Sequence, residues 1–519
     1  MRRRTAFLAA LVALALPVLC LGTLSCARPA PQSAAPSSGR RPTISPDYSD
    51  LVIPPNIAPL SFVIREPAAR YVTRISGACG RPIEIDSASP KVTIPLTQWR
   101  ELLAENRGGE ISFQVSARSA DGTWQTHEPI VNAVSADGID GYIAYRMIYP
   151  AFNLWRDVEI RQRDLSTFDE WPVLRGHSIG NGCVNCHTFR SGRTDLMLTS
   201  TRGQQYGSAA VLVEGTEATK LDTKFGYASI SPDGRTIAYS LNNVKQFFHS
   251  ARTETRDVLD LDSDLALFDV ATRTVSTSPQ VAAEDRMETY PAWAPDGRAL
   301  YFSSAPLRWK AGSGFPPEGW DKVRYDLRRV AYDPKEGVVG EAETVVSSED
   351  VGGSVLEPRV SPDGRFLLFC VCGYGCFAVY QQSSDLYMLD LGTGECRRLE
   401  INSDESESWH SWSSNSRWIA FSSKRQDGLF TRTYISHVDA DGRVSKALVV
   451  PQEDPTYYDS CLKTYSVPEL TAEPTRVSAD VIERAAMSTD KVEVTLPDIP
   501  MARKAPGGPK PVVPQPERE

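Results

Sequence analysis

A short phrase that recurs along the chain constrains the fold more than any other feature. Three copies share a Pro-Asp-Gly-Arg ending, a fourth is degenerate and a fifth is shortened: Ser231–Arg235, Ala294–Arg298, Ser361–Arg365, Ser413–Arg417 and Arg190–Arg193. Each copy joins two strand-like runs, and Asp-Gly supplies the positive φ that a tight hairpin requires. A hairpin that recurs at intervals predicts a repeat fold, in which each unit is one small antiparallel sheet.

A second hairpin phrase follows the first in each unit. Its copies are Asp264–Val270, Val330–Asp333, Asp385–Leu391 and Ile435–Asp439. Two hairpins make four strands, which is the content of one propeller blade. Five blades are visible in the sequence, and residues 141–173 can supply another. We therefore predict a mainly β protein with a propeller of about six blades, five or seven being the alternatives.

The segment before the repeats has a different pattern. Residues 46–142 alternate short apolar runs with turn signals, as in Ile111-Ser112-Phe113-Gln114-Val115. Period-two alternation is typical of half-buried strands. We expect a small β-sandwich-like domain here, preceded by a flexible tether over residues 27–45, which are rich in Ala, Pro, Ser and Arg.

Cys183-Val184-Asn185-Cys186-His187 has the form that attaches a c-type haem. Two thiols at this spacing can each add to one vinyl group of the porphyrin, and the adjacent histidine then reaches the iron. We predict one covalent haem c, bound through Cys183 and Cys186, with His187 as the proximal ligand. The alternative is a redox or zinc site. Zinc would need a second Cys/His pair, and the surrounding hundred residues offer only His177.

The ligand on the other face of the iron is left open by the sequence. His249 is the first candidate because Phe247 and Phe248 beside it can wall a porphyrin. His410 and His177 rank below it. Methionine or histidine at this position would give the iron different reduction potentials.

The N-terminus predicts export. Arg2-Arg3-Arg4 precedes an apolar run from Ala6 to Leu24, the pattern of a secretory signal. The run ends at Thr23-Leu24-Ser25-Cys26, which is similar to a bacterial lipobox. We expect residues 1–26 to be a signal peptide of lipoprotein type with Cys26 lipidated, ordinary cleavage nearby being the alternative. The protein would then lie in the periplasm or cell envelope and touch a membrane only through this anchor.

Charge and cysteine content fit that compartment. The net charge moves from −9 to −12 without residues 1–25, which hold three arginines and no acidic residue. This sign argues against nucleic-acid binding. Six further cysteines allow up to three disulfides, of undetermined connectivity: Cys79, Cys370, Cys372, Cys376, Cys396 and Cys461. The group at 370–376 could instead bind a metal, although no histidine is near in sequence.

Taken together, these motifs resemble a known family. The hairpin phrase is similar to the TolB-type propeller repeat. In combination with Cys183–His187, Tyr290–Trp293 and Trp409–Trp418, it resembles exported bacterial TolB-like proteins that carry one c-type haem. The resemblance covers about residues 48–470 and implies architecture and compartment.

From these motifs and the resemblance we expect three segments after residue 142. Residues 143–187 form the first blade and the haem-attachment segment, and residues 188–455 form the other blades. Residues 456–519 are a C-terminal extension, largely disordered after 470.

Two functions follow as hypotheses. The first is one-electron transfer, or a subunit of a redox complex, with a redox or envelope protein as partner. The second is a propeller scaffold for protein–protein interaction whose haem is structural or senses gases. Both make the protein an electron carrier or binding protein rather than a catalytic enzyme.

Overall fold

The structure is a computed structural model that describes residues 36–149, 155–250, 254–310 and 313–495. Cys26 and the predicted signal peptide lie outside the described residues. Among the residues described, no helix is long and apolar enough to cross a bilayer.

Two sheets form the N-terminal domain, as the alternating pattern predicts. The first contains β1 (Ile44–Ser45), β3 (Phe62–Ile64) and β6 (Lys91–Val92); the second contains β2 (Val52–Ile53), β4 (Arg70–Gly77), β5 (Ile83–Ser87), β7 (Glu110–Arg118), β8 (Trp124–Thr126) and β9 (Ile130–Val134). Helix α1 (Leu96–Glu105) buries Trp99, Leu102 and Leu103 in the same core. Burial of these side chains, at about 25 cal/mol per Å² of apolar surface, stabilises the sandwich.

Six four-stranded antiparallel sheets follow in the described chain. Their strands are, sheet by sheet, β10 (Tyr142–Ile148), β11 (Glu159–Asp164), β12 (Glu170–Arg175) and β33 (Thr464–Thr471); β13 (Cys183–Arg190), β14 (Arg193–Gly203), β15 (Gly207–Glu214) and β16 (Glu217–Leu221); β17 (Ala228–Ile230), β18 (Thr236–Phe248), β19 (Arg256–Asp269) and β20 (Val275–Ser276); β21 (Arg286–Trp293), β22 (Ala299–Pro306), β23 (Asp326–Asp333) and β24 (Val338–Val346); β25 (Ser354–Val360), β26 (Phe366–Cys372), β27 (Asp385–Asp390) and β28 (Cys396–Arg398); β29 (Glu407–Trp412), β30 (Trp418–Ser423), β31 (Arg432–His437) and β32 (Leu448–Val449).

One strand from each sheet contacts the next in a closed ring. The ring runs β13, β17, β21, β25, β29, β33 and back to β13. These six inner strands surround one axis, which is the arrangement of a propeller. The prediction of a propeller of about six blades is confirmed.

The predicted hairpin chemistry is present at the turns. In the third blade the Ser231 hydroxyl donates to the Asp233 carboxylate at 2.6 Å, and that carboxylate accepts the Arg235 N–H at 3.0 Å. Gly234 has φ +77°, a conformation that a side chain would strain. The local sequence is therefore enough to close this hairpin.

The C-terminal segment differs from our expectation. Instead of belonging to an extension, β33 pairs with β10 and supplies the inner strand of the first blade. The pairing joins the two ends of the blade array, so the ring closes through backbone hydrogen bonds.

Residues after 470 are also ordered up to 495, where we expected disorder. Helix α4 (Ala479–Met487) buries Ile482 and Ala486, and its Glu483 accepts a hydrogen bond from Arg175 at 2.7 Å. The apolar positions lie on one face of the helix, which explains why a short polar segment docks on the blades. Two further short helices, α2 (Ser348–Val351) and α3 (Tyr457–Ser460), lie in loops.

Five of the six inner strands share an irregularity. Their pairing with the next strand shifts register at Val184/His187, Thr289/Ala292, Leu356/Arg359, Ser408/His410 and on β33 between Ser466 and Glu469. At these breaks Tyr290, Glu357, Trp409 and Val467 have φ between +45° and +57°. The repeated bulge places the residues around it next to the axis.

Candidate haem-attachment site

Cys183 to His187 lies at the beginning of β13, the inner strand of the second blade. In the sequence, Asn181-Gly182 and the run Thr188–Gly192 are typical of turns and predict loop on both sides of this motif. The expectation was wrong for Thr188–Arg190, which pair with β14. The motif therefore lies on a strand, with a register break inside it.

His187 is buried, with a side-chain exposure of 0%. Neither ring nitrogen has a hydrogen-bond partner among the described residues. Burial, and then the positive charge of Arg146, lowers the pKa of His187 to about 3. The imidazole is therefore neutral at physiological pH, which is the form that ligates a metal.

Glu469 is the acidic residue near His187. Its Oε2 lies 4.0 Å from Nε2 of His187, and its Oε1 accepts the Phe189 N–H at 2.9 Å. Burial raises the pKa of Glu469 to about 7. Sequence reasoning missed Glu469 and Arg146, because the closure that brings blade one beside β13 is not visible in a local pattern.

The position of the motif's cysteines relative to His187 is less favourable for binding one haem. Cys183 is buried and pairs with Arg202, whereas His187 pairs with Thr199. Positions three apart on β14 lie on opposite faces, so Cys183 and His187 also lie on opposite faces of this strand pair. The side chain of Cys186 lies outside the described residues. A haem that is bound both to Cys183 and to His187 thus requires the pairing of Cys183 with Arg202 to open.

Of the candidate distal ligands, His410 is engaged elsewhere. Its Nε2 lies 3.0 Å from the Leu368 carbonyl oxygen, and its Nδ1 lies 3.7 Å from Sγ of Cys370. A carbonyl only accepts, so Nε2 carries the proton. His177 is exposed and lies in a 3₁₀ turn, His177–Ile179, just before β13.

His249 lies at the tip of the long hairpin that β18 and β19 form. Its two ring nitrogens are buried and have no hydrogen-bond partner within the described ranges. Phe247 beside it contacts Trp320 at 5.1 Å and Phe315 at 5.7 Å between ring centroids. Of the two rings that we expected to flank His249, Phe247 therefore packs against the fourth blade's loop, whereas Phe248 is exposed.

The same hairpin tip reaches across to the sixth blade. Glu254 accepts a hydrogen bond from Lys424 at 2.7 Å, and Arg256 lies over the Tyr380 ring at 4.4 Å. Arg256, Tyr380 and Lys424 line a cavity of about 30 Å³ together with Arg146 of the first blade. The tip therefore lies close to Arg146, whose positive charge acts on His187.

The donor chemistry suits a c-type haem, since a neutral imidazole directly follows two cysteines at the required spacing in sequence, although the folded strand pair places Cys183 and His187 on opposite faces. The cavity at the axis, about 30 Å³, is far too small for a haem. The axis itself is filled by Tyr227, Tyr290 and Trp409, whose ring centroids lie 4.2 to 6.0 Å apart. A haem held by these donors would lie at the beginning of β13, away from that aromatic cluster.

Comparisons with known proteins add fold neighbours. No family model matches the chain, and no curated protein matches it. Among solved structures it is similar to TolB from Acinetobacter baumannii, at 17% identity over 69% of this chain and 78% of that chain, with a TM-score of 0.40. It is also similar to oligogalacturonate lyase from Vibrio parahaemolyticus, at 13% identity over 64% of this chain and 88% of the other, with a TM-score of 0.29. By its sheet topology the described chain is a six-bladed β-propeller.

Proposed function

We propose that the protein is a haem c-bearing β-propeller of the bacterial envelope that transfers single electrons. The observation that carries the proposal is the Cys183–His187 motif, in which the histidine is buried, neutral and without a hydrogen-bond partner in the described chain. When bound, the haem supplies an iron that cycles between two oxidation states.

The residues around His187 would set the properties of that iron. Because the His187 ring is buried, water is kept away from it, and the nearby charges act in a medium of low dielectric constant. Arg146 favours the reduced, less positive iron, whereas an ionised Glu469 favours the oxidised iron. Because the pKa of Glu469 lies at about 7, its charge changes within the physiological range.

His249 is the distal ligand that we propose. Its two ring nitrogens have no hydrogen-bond partner in the described chain, and aromatic rings pack beside it. Its hairpin tip is held near the axis by the contact of Glu254 with Lys424. His410 lacks the first property, and its contacts with Leu368 and Cys370 make it a poor candidate.

Haem staining after denaturing electrophoresis tests the attachment. The full chain should be expressed in a host that matures c-type cytochromes. We expect a stained band that Cys183→Ala with Cys186→Ala abolishes. Cys79→Ala with Cys396→Ala is the matched control, because both of these cysteines are exposed, and it should keep the stain.

Carbon monoxide binding separates electron transfer from gas sensing. Six-coordinate, low-spin iron that does not bind carbon monoxide supports electron transfer. Five-coordinate iron in the wild-type protein would instead support the scaffold with a sensing haem. His249→Ala should convert the low-spin spectrum to a high-spin one and open the site to carbon monoxide.

The envelope location is proposed from the N-terminus. Cys26→Ser should move the protein from the membrane fraction to the soluble envelope fraction if Cys26 is lipidated. An unchanged distribution would contradict the anchor and leave the haem proposal untouched.

A further inference from the structure

A second cluster of metal-binding groups lies between the fifth and sixth blades. Glu357 on β25, Cys370 on β26 and His410 on β29 bring one ligand atom each to within 4.8 Å of one another, and all three residues are buried. The sequence did not reveal this group, because His410 follows Cys370 by forty positions and lies on another blade.

We propose that Glu357, Cys370 and His410 form a binding site for a divalent transition metal of the zinc class. Sγ of Cys370 lies 3.5 Å from Oε2 of Glu357 and 3.7 Å from Nδ1 of His410. Bond lengths of 2.0 to 2.3 Å in a tetrahedral zinc site give donor–donor distances of about 3.5 Å. Two of the three donor–donor distances thus already match the edges of such a site, and the third lies within 4.8 Å.

The histidine is oriented for this role by the backbone. Its Nε2 donates to the Leu368 carbonyl oxygen at 3.0 Å, so Nδ1 carries the lone pair, and Nδ1 is the nitrogen that faces Cys370. A histidine ligand is typically held in this way, by a carbonyl or carboxylate on its other nitrogen.

Glu357 supplies an independent observation. Its Oε2 accepts the Trp409 N–H at 2.6 Å, whereas its buried Oε1 has no hydrogen-bond partner among the described residues. At the same place in the inner-strand bulge, other blades carry Tyr290, Trp409 and Val467. A carboxylate is therefore not required by the fold here, and Oε1 is available as a fourth donor.

Burial disfavours the charged forms of Glu357, Cys370 and His410 when no cation is bound. It raises the pKa of Glu357 to about 7 and that of Cys370 well above its ordinary value, and it lowers the pKa of His410 to about 3. A bound dication offsets the charges of a carboxylate and a thiolate. Binding replaces the thiol proton by the metal, and that proton leaves for solvent.

The test uses the full-length protein and the metal alone. After dialysis against zinc and then buffer, elemental analysis should find one zinc per chain, counted separately from iron. Cys370→Ser should retain less than a tenth of that zinc, whereas Cys396→Ser, at an exposed cysteine of the same blade, should retain all of it. Cobalt should give a thiolate charge-transfer band in the wild type and none in Cys370→Ser.

The variant with Cys183→Ala and Cys186→Ala distinguishes this site from the haem site, because it should lose haem and keep its zinc. Zinc that is lost with that pair, and not with Cys370→Ser, would overturn the proposal. If Cys370→Ser does not fold, the wild type decides: a cobalt thiolate band and a melting temperature lowered by chelation support the site. Wild-type protein with neither property would show that the three groups are only hydrogen-bonded to one another.

Discussion

His187 and His410 occupy matching places in two blades and have different surroundings. Each is the first residue to pair again after the register break of its inner strand. Each is buried, and burial lowers the pKa of each to about 3. His410 has a partner for both nitrogens, whereas His187 has none among the described residues. The two rings are thus equally buried but differently surrounded: the fold itself supplies partners to His410, whereas His187 has none in hydrogen-bonding geometry among the described residues.

A buried polar atom without a partner costs roughly 1–3 kcal/mol. His187 carries part of this cost, because its contacts with the Ala144 backbone and Glu469 are loose. His410 avoids the cost. The cost is offset if the ring ligates a metal, and this is why the motif and the missing partners support the same proposal.

His187→Ala should have the largest effect on the iron. The thioethers remain, so the haem stain persists, but the proximal ligand is lost and the low-spin spectrum disappears. Optical spectra of the oxidised and reduced protein measure this. His410→Ala is the matched comparison and should leave the spectrum unchanged, since that ring is hydrogen-bonded elsewhere. A spectral shift in His410→Ala with none in His187→Ala would reverse the comparison.

His410→Ala should have the larger effect on stability. It removes the bond to Leu368 and leaves a cavity beside Cys370 and Glu357, at a cost of about 3 kcal/mol in the free energy of unfolding. Chemical denaturation should be run on chains that lack haem, with Cys183→Ala and Cys186→Ala in both. Under these conditions His187→Ala should cost less than His410→Ala, and an equal loss would contradict the account of their partners.

A second matched pair, Glu288 and Glu407, predicts a pH dependence. Both are buried on inner strands; Glu407 is paired with Arg425 at 3.1 Å, whereas Glu288 accepts from Ser304 at 3.2 Å. Burial, and then repulsion from Asp264, raises the pKa of Glu288 to about 8. The stability that Glu288 contributes is therefore complete below its unfolded pKa, near 4.5, and is lost as pH rises through about 8.

Glu288→Gln should remove that loss. Between pH 6 and pH 8 we expect the wild type to lose roughly 2 kcal/mol that the variant keeps. Glu407→Gln, which breaks the ion pair with Arg425, should instead destabilise at both pH values. Parallel pH profiles for wild type and Glu288→Gln would show that Glu288 is not the group responsible.

The smallest effect is expected at the hairpin tip. Glu254→Gln weakens the ion pair with Lys424, so the tip over the axis should open more often, at a local cost of about 1 kcal/mol. Hydrogen exchange should rise in the tip of the β18–β19 hairpin and stay unchanged in β21. Unchanged exchange at the tip would mean that Arg256 and Tyr380 hold it without this pair.

The repeats could be predicted from the sequence because the turn chemistry is local. Ser231, Asp233 and Gly234 close their hairpin with contacts inside five residues. The thiol spacing of the haem motif is equally local. Closure by β33 was missed because its partner β10 lies more than three hundred residues earlier. The contact of Cys370 with His410 was missed for the same reason, since it forms only when two blades pack.

The central claim is that Cys183, Cys186 and His187 hold a haem, and one optical spectrum tests it most directly. Protein purified from a host that matures c-type cytochromes should show, on reduction, the sharp absorption of a low-spin c-type haem, in a ratio of one haem per chain. The variant with Cys183→Ala and Cys186→Ala should show none. A colourless wild-type protein from that host, with a haem-loaded control cytochrome prepared beside it, would contradict the account.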